Sequence, residues 1–173
     1  MDGKSIHELF ESEQVTIAAG VPTVWLALIN YLKSHQLKFS TLKTVVVGGS
    51  AIPPSMMQTF NNDYDVDVIN VWGMTEMSPF GAINTPKGKH QLLDPSEQFK
   101  NRLNQGRSPF GVEMKIIDDE GQTLPRDGAK SGNLVVRGPW VASEYFKGEG
   151  FWMTRVGSLQ AMLAQLIPTD ISN

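Results

Sequence analysis

An aromatic ring, a glycine, a hydroxyl and a carboxylate fall within five residues, at Trp72, Gly73, Thr75 and Glu76. Such a set can stack on a planar base, admit a substrate past the glycine, hydrogen-bond a phosphate oxygen and hold Mg²⁺ through one carboxylate. A structural alternative makes Thr75 or Ser78 a helix cap and Glu76 a solvated acid in the first helical turn. The residue types alone leave both interpretations open.

A second segment, residues 45–54, is an apolar run that ends in Gly48 and Gly49 and continues to Pro54, a residue favoured at the first helical position. Glycine lets the backbone approach a ligand closely, and open parallel sheets bind ligands beyond the carboxyl ends of their strands. An ordinary strand-to-helix turn explains the pattern as well. A hydrolase nucleophile elbow is excluded, because Ile52 stands where Gly-x-Ser-x-Gly requires glycine.

Alternating strands and helices are predicted to position these segments. Apolar periodicity indicates strands at 15–18, 44–47 and 66–71 and helices at 6–11, 24–34 and 54–62. This alternation is typical of a parallel sheet with flanking helices, so the expected fold class is α/β. We expect this α/β part to occupy residues 1–108.

The pattern becomes purely β from about residue 109 to 150, which predicts a small, barrel-like β subdomain. Val112, Met114 and Ile116 alternate toward a turn at 118–121, and a further strand is expected at 134–136. Residues 86–104 are polar and rich in Lys, Gln and Asn, so a long surface loop is predicted there.

Composition narrows the function classes. The chain has 173 residues, a formal net charge of −3 and no cysteine, which excludes disulfides and thiolate chemistry and is compatible with the cytoplasm. No cluster of Lys and Arg marks a nucleic-acid surface. The uncharged stretch 15–32 approaches the length of a membrane span, but Gly20, Pro22 and Asn30 interrupt it, so no transmembrane segment is predicted. The acidic start is unlike a signal peptide.

The five residues Trp72-Gly73-Met74-Thr75-Glu76 resemble the aromatic-Gly-x-Thr-Glu motif of the adenylate-forming (AMP-binding) enzymes. Three further segments, at 20–25, 48–51 and 132–139, are similar to motifs of that superfamily in order and spacing. The detail of residues 71–79, with Tyr145-Phe146-Lys147-Gly148 downstream, is similar to the medium- and long-chain fatty acid–CoA ligases in particular.

The resemblance implies a two-step ligase that uses ATP/AMP, Mg²⁺ and coenzyme A. A fatty acid carboxylate attacks ATP to form an acyl-adenylate, and the thiol of coenzyme A then displaces AMP. By the same resemblance, Trp72 would stack on adenine, Thr75 would bond the α-phosphate, and Glu76 would hold Mg²⁺. The implied nucleotide and acyl-carbonyl contacts are Gly48, Gly49, Ser50, Ala51, Gly73 and Met74. The implied acyl wall is Val21, Pro22, Thr23, Trp25 and Met74.

Parts of the family pattern are absent from these 173 residues: the Ser/Thr/Gly-rich phosphate loop, the Thr-Gly-Asp that grips ribose, and the lid lysine. We therefore expect an internal fragment of a ligase that is inactive alone. Two alternatives stay open. The chain is a non-catalytic protein that binds nucleotide, acyl chain or a protein partner, or it is one piece of a split ligase. Exposed apolar faces would then contact the partner or the missing pieces.

Residues 151–173 depart from the family pattern. Leu159, Met162, Leu163, Leu166 and Ile167 fall at helical spacing, which predicts a short amphipathic helix. The alternative is a shifted reading frame, because permitted codons read in another frame can restore Thr-Gly-Asp; the nucleotide sequence decides between the two.

Other chemistry-bearing residues have simpler explanations. His7, His35 and His90 each lack a second ligand at metal spacing, and the acidic run 118–121 is interpreted as a hairpin turn. Four methionines also receive an assignment. Met56, Met57 and Met77 are assigned to core packing, and Met74 is assigned to the acyl pocket.

Overall fold

The computed structural model describes residues 2–127, 129–144 and 146–147, together with the backbone of strand 154–156. The chain divides into two compact units, Met1–Val71 and Trp72–Asn173. The predicted helix of the tail lies outside the described residues, as do Tyr145 and Gly148 of the downstream motif. The predicted domain boundaries near 108 and 150 stay predictions.

The first unit contains three helices and a parallel sheet. Its helices are α1 (Gly3–Ser12), α2 (Pro22–His35) and α3 (Pro54–Gln58), the last continued by one π-helical turn, Thr59–Asp63. Its strands are β1 (Ile17–Gly20), β2 (Thr44–Val47) and β3 (Asp67–Gly73), whose last two residues belong to the second unit. Strand β2 lies between the other two and pairs with both in parallel, with Val47 opposite Gly20 and Asn70. The predicted α/β class is confirmed.

Local signals explain where these helices begin and end. Asp2 caps α1, because its carboxylate accepts a hydrogen bond from the Ser5 amide at 2.9 Å. Pro22 begins α2 at a position where its missing N–H costs nothing, and Gln36 ends it in the left-handed conformation. Gly3 allows α1 to pack closely on α2, since a β-carbon there would lie 2.5 Å from the Ala27 carbonyl oxygen.

An aromatic centre organises the core of this unit. Trp25 of α2 is 1% exposed, and its ring lies edge-on to Phe60 at a centroid distance of 5.9 Å and tilted against Phe10 at 6.4 Å. Burial of large rings contributes much of the hydrophobic stabilisation of a small unit. The other large, fully buried side chains of this core are Leu28, Leu32, Val45, Val47, Met57 and Val66.

The second unit contains β4 (Phe80–Ile83), α4 (Pro95–Leu103) and four antiparallel strands. These strands are β5 (Glu113–Ile117), β6 (Thr123–Leu124), β7 (Asn133–Arg137) and β8 (Thr154–Val156), in the spatial order β6-β5-β7-β8. Alternate residues of β5 and β7 point into one apolar cluster. The buried members of that cluster are Met77, Ala82, Val112, Met114, Ile116, Leu134 and Val136.

The acidic run 118–121 forms the hairpin turn that the sequence predicts. The backbone N–H of Gly121 donates to the Asp118 carbonyl at 3.2 Å, and Gly121 has φ +82°, a value that glycine adopts without strain. The Asp118 carboxylate accepts a hydrogen bond from the backbone N–H of Gln122 at 2.7 Å, so this carboxylate stabilises the turn.

Two predictions about local structure need correction. The helix expected at 54–62 changes to π-helical geometry at Thr59. The long loop expected at 86–104 is folded into a 3-10 helix, Gly88–Leu92, and α4. Periodicity misses α4 because that helix has no buried residue. Its N-terminus is instead stabilised by Asp94, which accepts from the amides of Ser96 and Glu97.

Within the described ranges, every helix is too short or too polar to span a lipid bilayer.

Candidate functional site

The segment that carries the proposed phosphate chemistry is held in a closed turn at the end of β3. The backbone N–H of Met74 donates to the Pro79 carbonyl at 2.8 Å, and the N–H of Ser78 donates to the Thr75 carbonyl at 3.1 Å. A β-carbon on Gly73 would lie 1.6 Å from the Pro79 oxygen, so only glycine allows the turn to close. The backbone geometry therefore requires glycine at the centre of the motif.

The Trp72 ring is held in place by the residues packed against it, and the residue remains partly exposed. Its ring lies against Gly81 of β4, where a β-carbon would come within 2.7 Å of the ring. The ring also packs on the apolar cluster of the second unit, yet the residue remains only partly buried. A held, partly exposed indole is suited to stack on a planar ligand, because its orientation is set before the ligand arrives.

The structural alternative holds in part, because Ser78 is the C-cap of a short helical turn and Glu76 lies in its first turn, but neither Thr75 nor Ser78 is an N-cap. Residues Thr75–Met77 form a single 3-10 turn whose N-cap is Met74, and no side chain caps it. Ser78 follows this turn in the left-handed conformation, with φ +55°, rather than preceding a helix. Thr75 is exposed, and its hydroxyl forms no hydrogen bond within the described residues, so it is accessible to a ligand.

Glu76 is held through its backbone. Its carbonyl accepts a hydrogen bond from the Ala142 amide at 2.6 Å, while the next residue, Met77, is fully buried in the apolar cluster. Glu76 itself is partly exposed. The described residues contain no group of three or more His, Asp or Glu that could enclose a metal. Proteins commonly hold Mg²⁺ through one or two carboxylates together with substrate phosphates, and Glu76 is a partly exposed residue of that type.

The other glycine-rich segment follows β2 in the first unit. Gly48 lies beside Val71, because a β-carbon on Gly48 would come within 2.6 Å of the Val71 side chain. The N–H of Gly48 donates to the Gly20 carbonyl at 3.3 Å. Gly49 has φ +84°, and the position of its absent β-carbon is 3.0 Å from a methyl group of Val21. Exposed Ser50 and Ala51 come next.

The contact between Val21 and Gly49 places the segment predicted to line the acyl chain next to the predicted glycine turn. Val21 is 44% exposed and stands immediately before α2, Pro22 is buried at the start of that helix, and Thr23 is exposed. Trp25 is different, because it lies in the core and donates its indole N–H to the Gly20 carbonyl at 3.1 Å. The assignment of Trp25 to an acyl wall stays a prediction.

The methionines divide as the sequence predicts. Met56, Met57 and Met77 are buried in the cores of their units. Met74 is only partly buried and packs against the edge of the apolar cluster of the second unit. Its exposed part is therefore available to an apolar ligand.

Asn70 was not among the candidate residues, although it stands in β3 three residues before Gly73. It is 3% exposed and lies opposite Val47 in the sheet. A buried amide needs hydrogen-bond partners, so Asn70 is a polar group held within the sheet close to the motif. The signal in the sequence is a single polar residue within an otherwise apolar strand.

The α/β fold and the turn at residues 72–76 are features of the adenylate-forming enzyme family. Residues 1–146 match the family described as AMP-binding enzyme. The chain therefore belongs to the AMP-binding enzyme family.

Individual relatives refine the comparison. Over 149 residues the chain is 50% identical to a medium-chain-fatty-acid–CoA ligase of Ectopseudomonas oleovorans, covering 86% of this chain and 27% of the relative. It is 48% identical over 147 residues to a 3-methylmercaptopropionyl-CoA ligase of Ruegeria lacuscaerulensis, covering 85% of this chain and 27% of that protein. The chain thus spans about a quarter of the length of these relatives.

A solved structure supports the fold. The crystal structure of a long-chain-fatty-acid–CoA ligase from Archaeoglobus fulgidus matches with a TM-score of 0.70 and 24% identity, covering 85% of this chain and 29% of that one.

Proposed function

We propose that this chain carries the adenine- and α-phosphate-contacting part of a fatty acid–CoA ligase. The observation that carries the proposal is the closed turn after β3, which holds a partly exposed Trp72 within four residues of an exposed Thr75 and a partly exposed Glu76. The relatives whose names specify acid–CoA ligation support the same conclusion.

The reaction needs stabilisation of charge more than it needs a nucleophile from the protein. A carboxylate oxygen of the fatty acid bonds to the α-phosphorus of ATP, and the bond to pyrophosphate breaks. Negative charge on the α-phosphate oxygens is then opposed by fixed donors and cations. The Thr75 hydroxyl donates to an α-phosphate oxygen in this proposal, and Glu76 holds Mg²⁺. Bound Mg²⁺ would neutralise charge on the phosphates.

The acyl group is assigned to the apolar residues beside the glycine turn. Val21 lies against Gly49, and both are exposed. In this proposal Gly48, Gly49, Ser50 and Ala51 contact adenine and the acyl carbonyl, and Val21 contacts the acyl chain. Met74 is assigned to the acyl chain by the family resemblance alone. The substrate class is a fatty acid, and coenzyme A is the acceptor in the second step.

We expect binding without turnover from the 173 residues alone. They contain neither a Ser/Thr/Gly-rich phosphate loop nor a Thr-Gly-Asp, and no lysine matches the lid motif. Loss of several groups that stabilise one transition state removes most of the rate, because these groups act together. Binding without turnover is compatible with two alternatives. The chain has a non-catalytic nucleotide-binding role, or it is one piece of a split ligase.

Binding and turnover are tested separately. AMP is titrated into the chain and followed by calorimetry, with Trp72→Ala as the variant and Trp140→Phe as an aromatic control in the same unit. We expect Trp72→Ala to weaken AMP binding by about tenfold, the loss of one stacked base. Equal affinity in both variants would overturn the assignment of Trp72.

Turnover is measured as exchange of labelled pyrophosphate into ATP, with octanoate as the acid and Mg²⁺ present. We expect no exchange by the chain alone. Exchange at the rate of a complete ligase would contradict the expected inactivity. Exchange that appears only when a second polypeptide supplies the missing motifs would favour the split ligase, and AMP binding without exchange in that mixture would favour the non-catalytic role.

A further inference from the structure

We propose that the helical segment 84–107 contains a site for a phosphoryl oxyanion, separate from the Trp72–Glu76 turn. The segment includes the 3-10 helix Gly88–Leu92 and α4, and a small cavity is lined by residues of both. The proposal stands on this cavity, its donors and its charge, and it does not depend on the proposed ligase function.

The segment is a closed, hydrogen-bonded structure. Its two ends are joined by a β-bridge in which Ile83 and Arg107 exchange backbone hydrogen bonds of 3.0 and 3.1 Å. Asn84 is 5% exposed, and its amide nitrogen donates to the carbonyls of Asn101 and Asn104, both at 2.6 Å. The Gln98 amide links α4 back to the 3-10 helix through the Leu93 and Gln91 carbonyls. The cavity is therefore preorganised.

Donor groups from both helices line the cavity. The 3-10 helix provides His90 and Gln91, and α4 provides Asn101 and Arg102. Within the part of the chain that the structure describes, the side chains of His90, Gln91 and Asn101 form no hydrogen bond. An imidazole, two amides and a guanidinium together offer the N–H donors that an oxyanion accepts.

The charge of the segment favours an anion. Residues 84–107 carry five Lys and Arg but only two acidic residues, a net charge of +3 in a chain whose net charge is −3. The two acids are Asp94 and Glu97, and neither lines the cavity. The Asp94 carboxylate is already used as the cap of α4. Among the described residues, the wall of the cavity therefore contains the guanidinium of Arg102 and no carboxylate.

The size of the cavity limits the ligand. Its volume is about 90 Å³, room for about three water molecules at roughly 30 Å³ each. Pockets for drug-sized ligands occupy roughly 300 Å³ or more. The cavity therefore accommodates a single phosphoryl group, either free phosphate or the end of a phosphate monoester, and is too small to enclose a whole nucleotide.

The test is a titration of the full 173-residue chain with inorganic phosphate, followed by NMR of the histidine side chains. His90 lines the cavity, whereas His7 and His35 belong to the first unit and serve as internal references. We expect saturable shifts of the His90 ring in the millimolar range with little change at His7 or His35. Shifts that do not saturate, that chloride reproduces at equal ionic strength, or that affect all three rings alike would overturn the proposal.

Two variants and one matched control keep the result interpretable. Arg102→Gln and the isosteric Asn101→Asp should each weaken phosphate binding by about tenfold or more, by loss of a charged donor and by gain of a negative charge, respectively. Lys100→Gln removes one positive charge from the same helix but not from the cavity wall, so binding should change less than about twofold. Equal losses in Arg102→Gln and Lys100→Gln would refute a built site. Circular dichroism establishes that each variant is folded.

A second titration with O-phosphoethanolamine separates the two sources of the phosphoryl group. Tighter binding than inorganic phosphate would assign the cavity to a monoester, and weaker binding would assign it to the free ion. If neither compound shifts His90 saturably, the proposal fails.

Discussion

The carbonyl oxygen of Pro79 lies 1.6 Å from the point that a β-carbon on residue 73 would occupy, so Gly73 and Pro79 fit together only because residue 73 is glycine. The Met74 N–H reaches the same oxygen at 2.8 Å. The turn that presents Thr75 and Glu76 is thus built on one backbone contact.

Gly73→Ala should disrupt this turn and destabilise the chain by at least about 2 kcal/mol, because the clash involves backbone that cannot move aside locally. Urea denaturation measures the change in the free energy of unfolding. Gly88→Ala is the matched control, since a β-carbon there meets nothing within 4 Å, and it should change stability by less than about 1 kcal/mol. Similar free energies for the two variants would show that the turn does not depend on close contact.

Asn84→Asp should loosen the segment 84–107. The substitution replaces an amide that donates to two carbonyls with a carboxylate that repels them, in a residue that is 5% exposed. We expect a loss of about 3 kcal/mol. Hydrogen exchange of the α4 amides, which should accelerate, is the direct measurement. Asn62→Asp, at an exposed position, should leave those rates unchanged. Unaltered exchange in Asn84→Asp would argue against its anchoring role.

Gln105→Met should stabilise the chain. Gln105 is 5% exposed, and its Oε1 has no hydrogen-bond partner among the residues that the structure describes. An unsatisfied buried acceptor costs about 1–3 kcal/mol, and a side chain of similar length without that acceptor removes the cost. We expect a gain of about 1 kcal/mol in thermal or urea unfolding. A clear loss of stability would indicate that an ordered water satisfies the oxygen.

The cap of α4 should depend on pH in a defined direction. The Ser96 hydroxyl, at 2.7 Å, is the main cause that lowers the pKa of Asp94 below its ordinary value of 3.8, followed by the Glu97 amide. Since the folded pKa is lowered, the cap stabilises α4 above pH 3.8 and is lost as the pH falls through the folded pKa. The ¹³C shift of the Asp94 carboxyl carbon reports this titration directly.

Ser96→Ala is the companion variant for that titration. Removal of the hydroxyl should raise the Asp94 midpoint toward the ordinary value, because the largest stabilising contact of the charged form is gone. An unchanged midpoint in Ser96→Ala would assign the lowered pKa to the backbone amides alone.

Periodicity predicted the elements with buried faces well. Strand β2 is found at 44–47 as expected, and α2 extends the predicted 24–34 by two residues at the start and one at the end. Strand β1 begins two residues later than predicted, because alternation of apolar residues does not fix where hydrogen bonds to the neighbouring strand begin.

Elements held by polar contacts were missed. Helix α4 has no buried residue. It is anchored by the Asn84 side chain, which donates to the carbonyl of Asn101, seventeen residues further along the chain. No local pattern predicts such a contact. The motif 72–76 was recognisable from its residue types, but the requirement for Gly73 became evident only from the position of Pro79. The core position of Trp25 was equally hidden, because an aromatic residue in a motif resembles a ligand contact until its burial is known.

The bridge between Ile83 and Arg107 has a consequence for protein engineering. The bridge joins the two ends of the segment. Residues 84–106 can therefore be replaced as a whole while the positions of the two ends stay fixed. Leu92, the last residue of the 3-10 helix, is 88% exposed and is a suitable point to insert a peptide tag or a fluorophore. The bridge would let the segment of one relative be exchanged for that of another while the junctions stay in place.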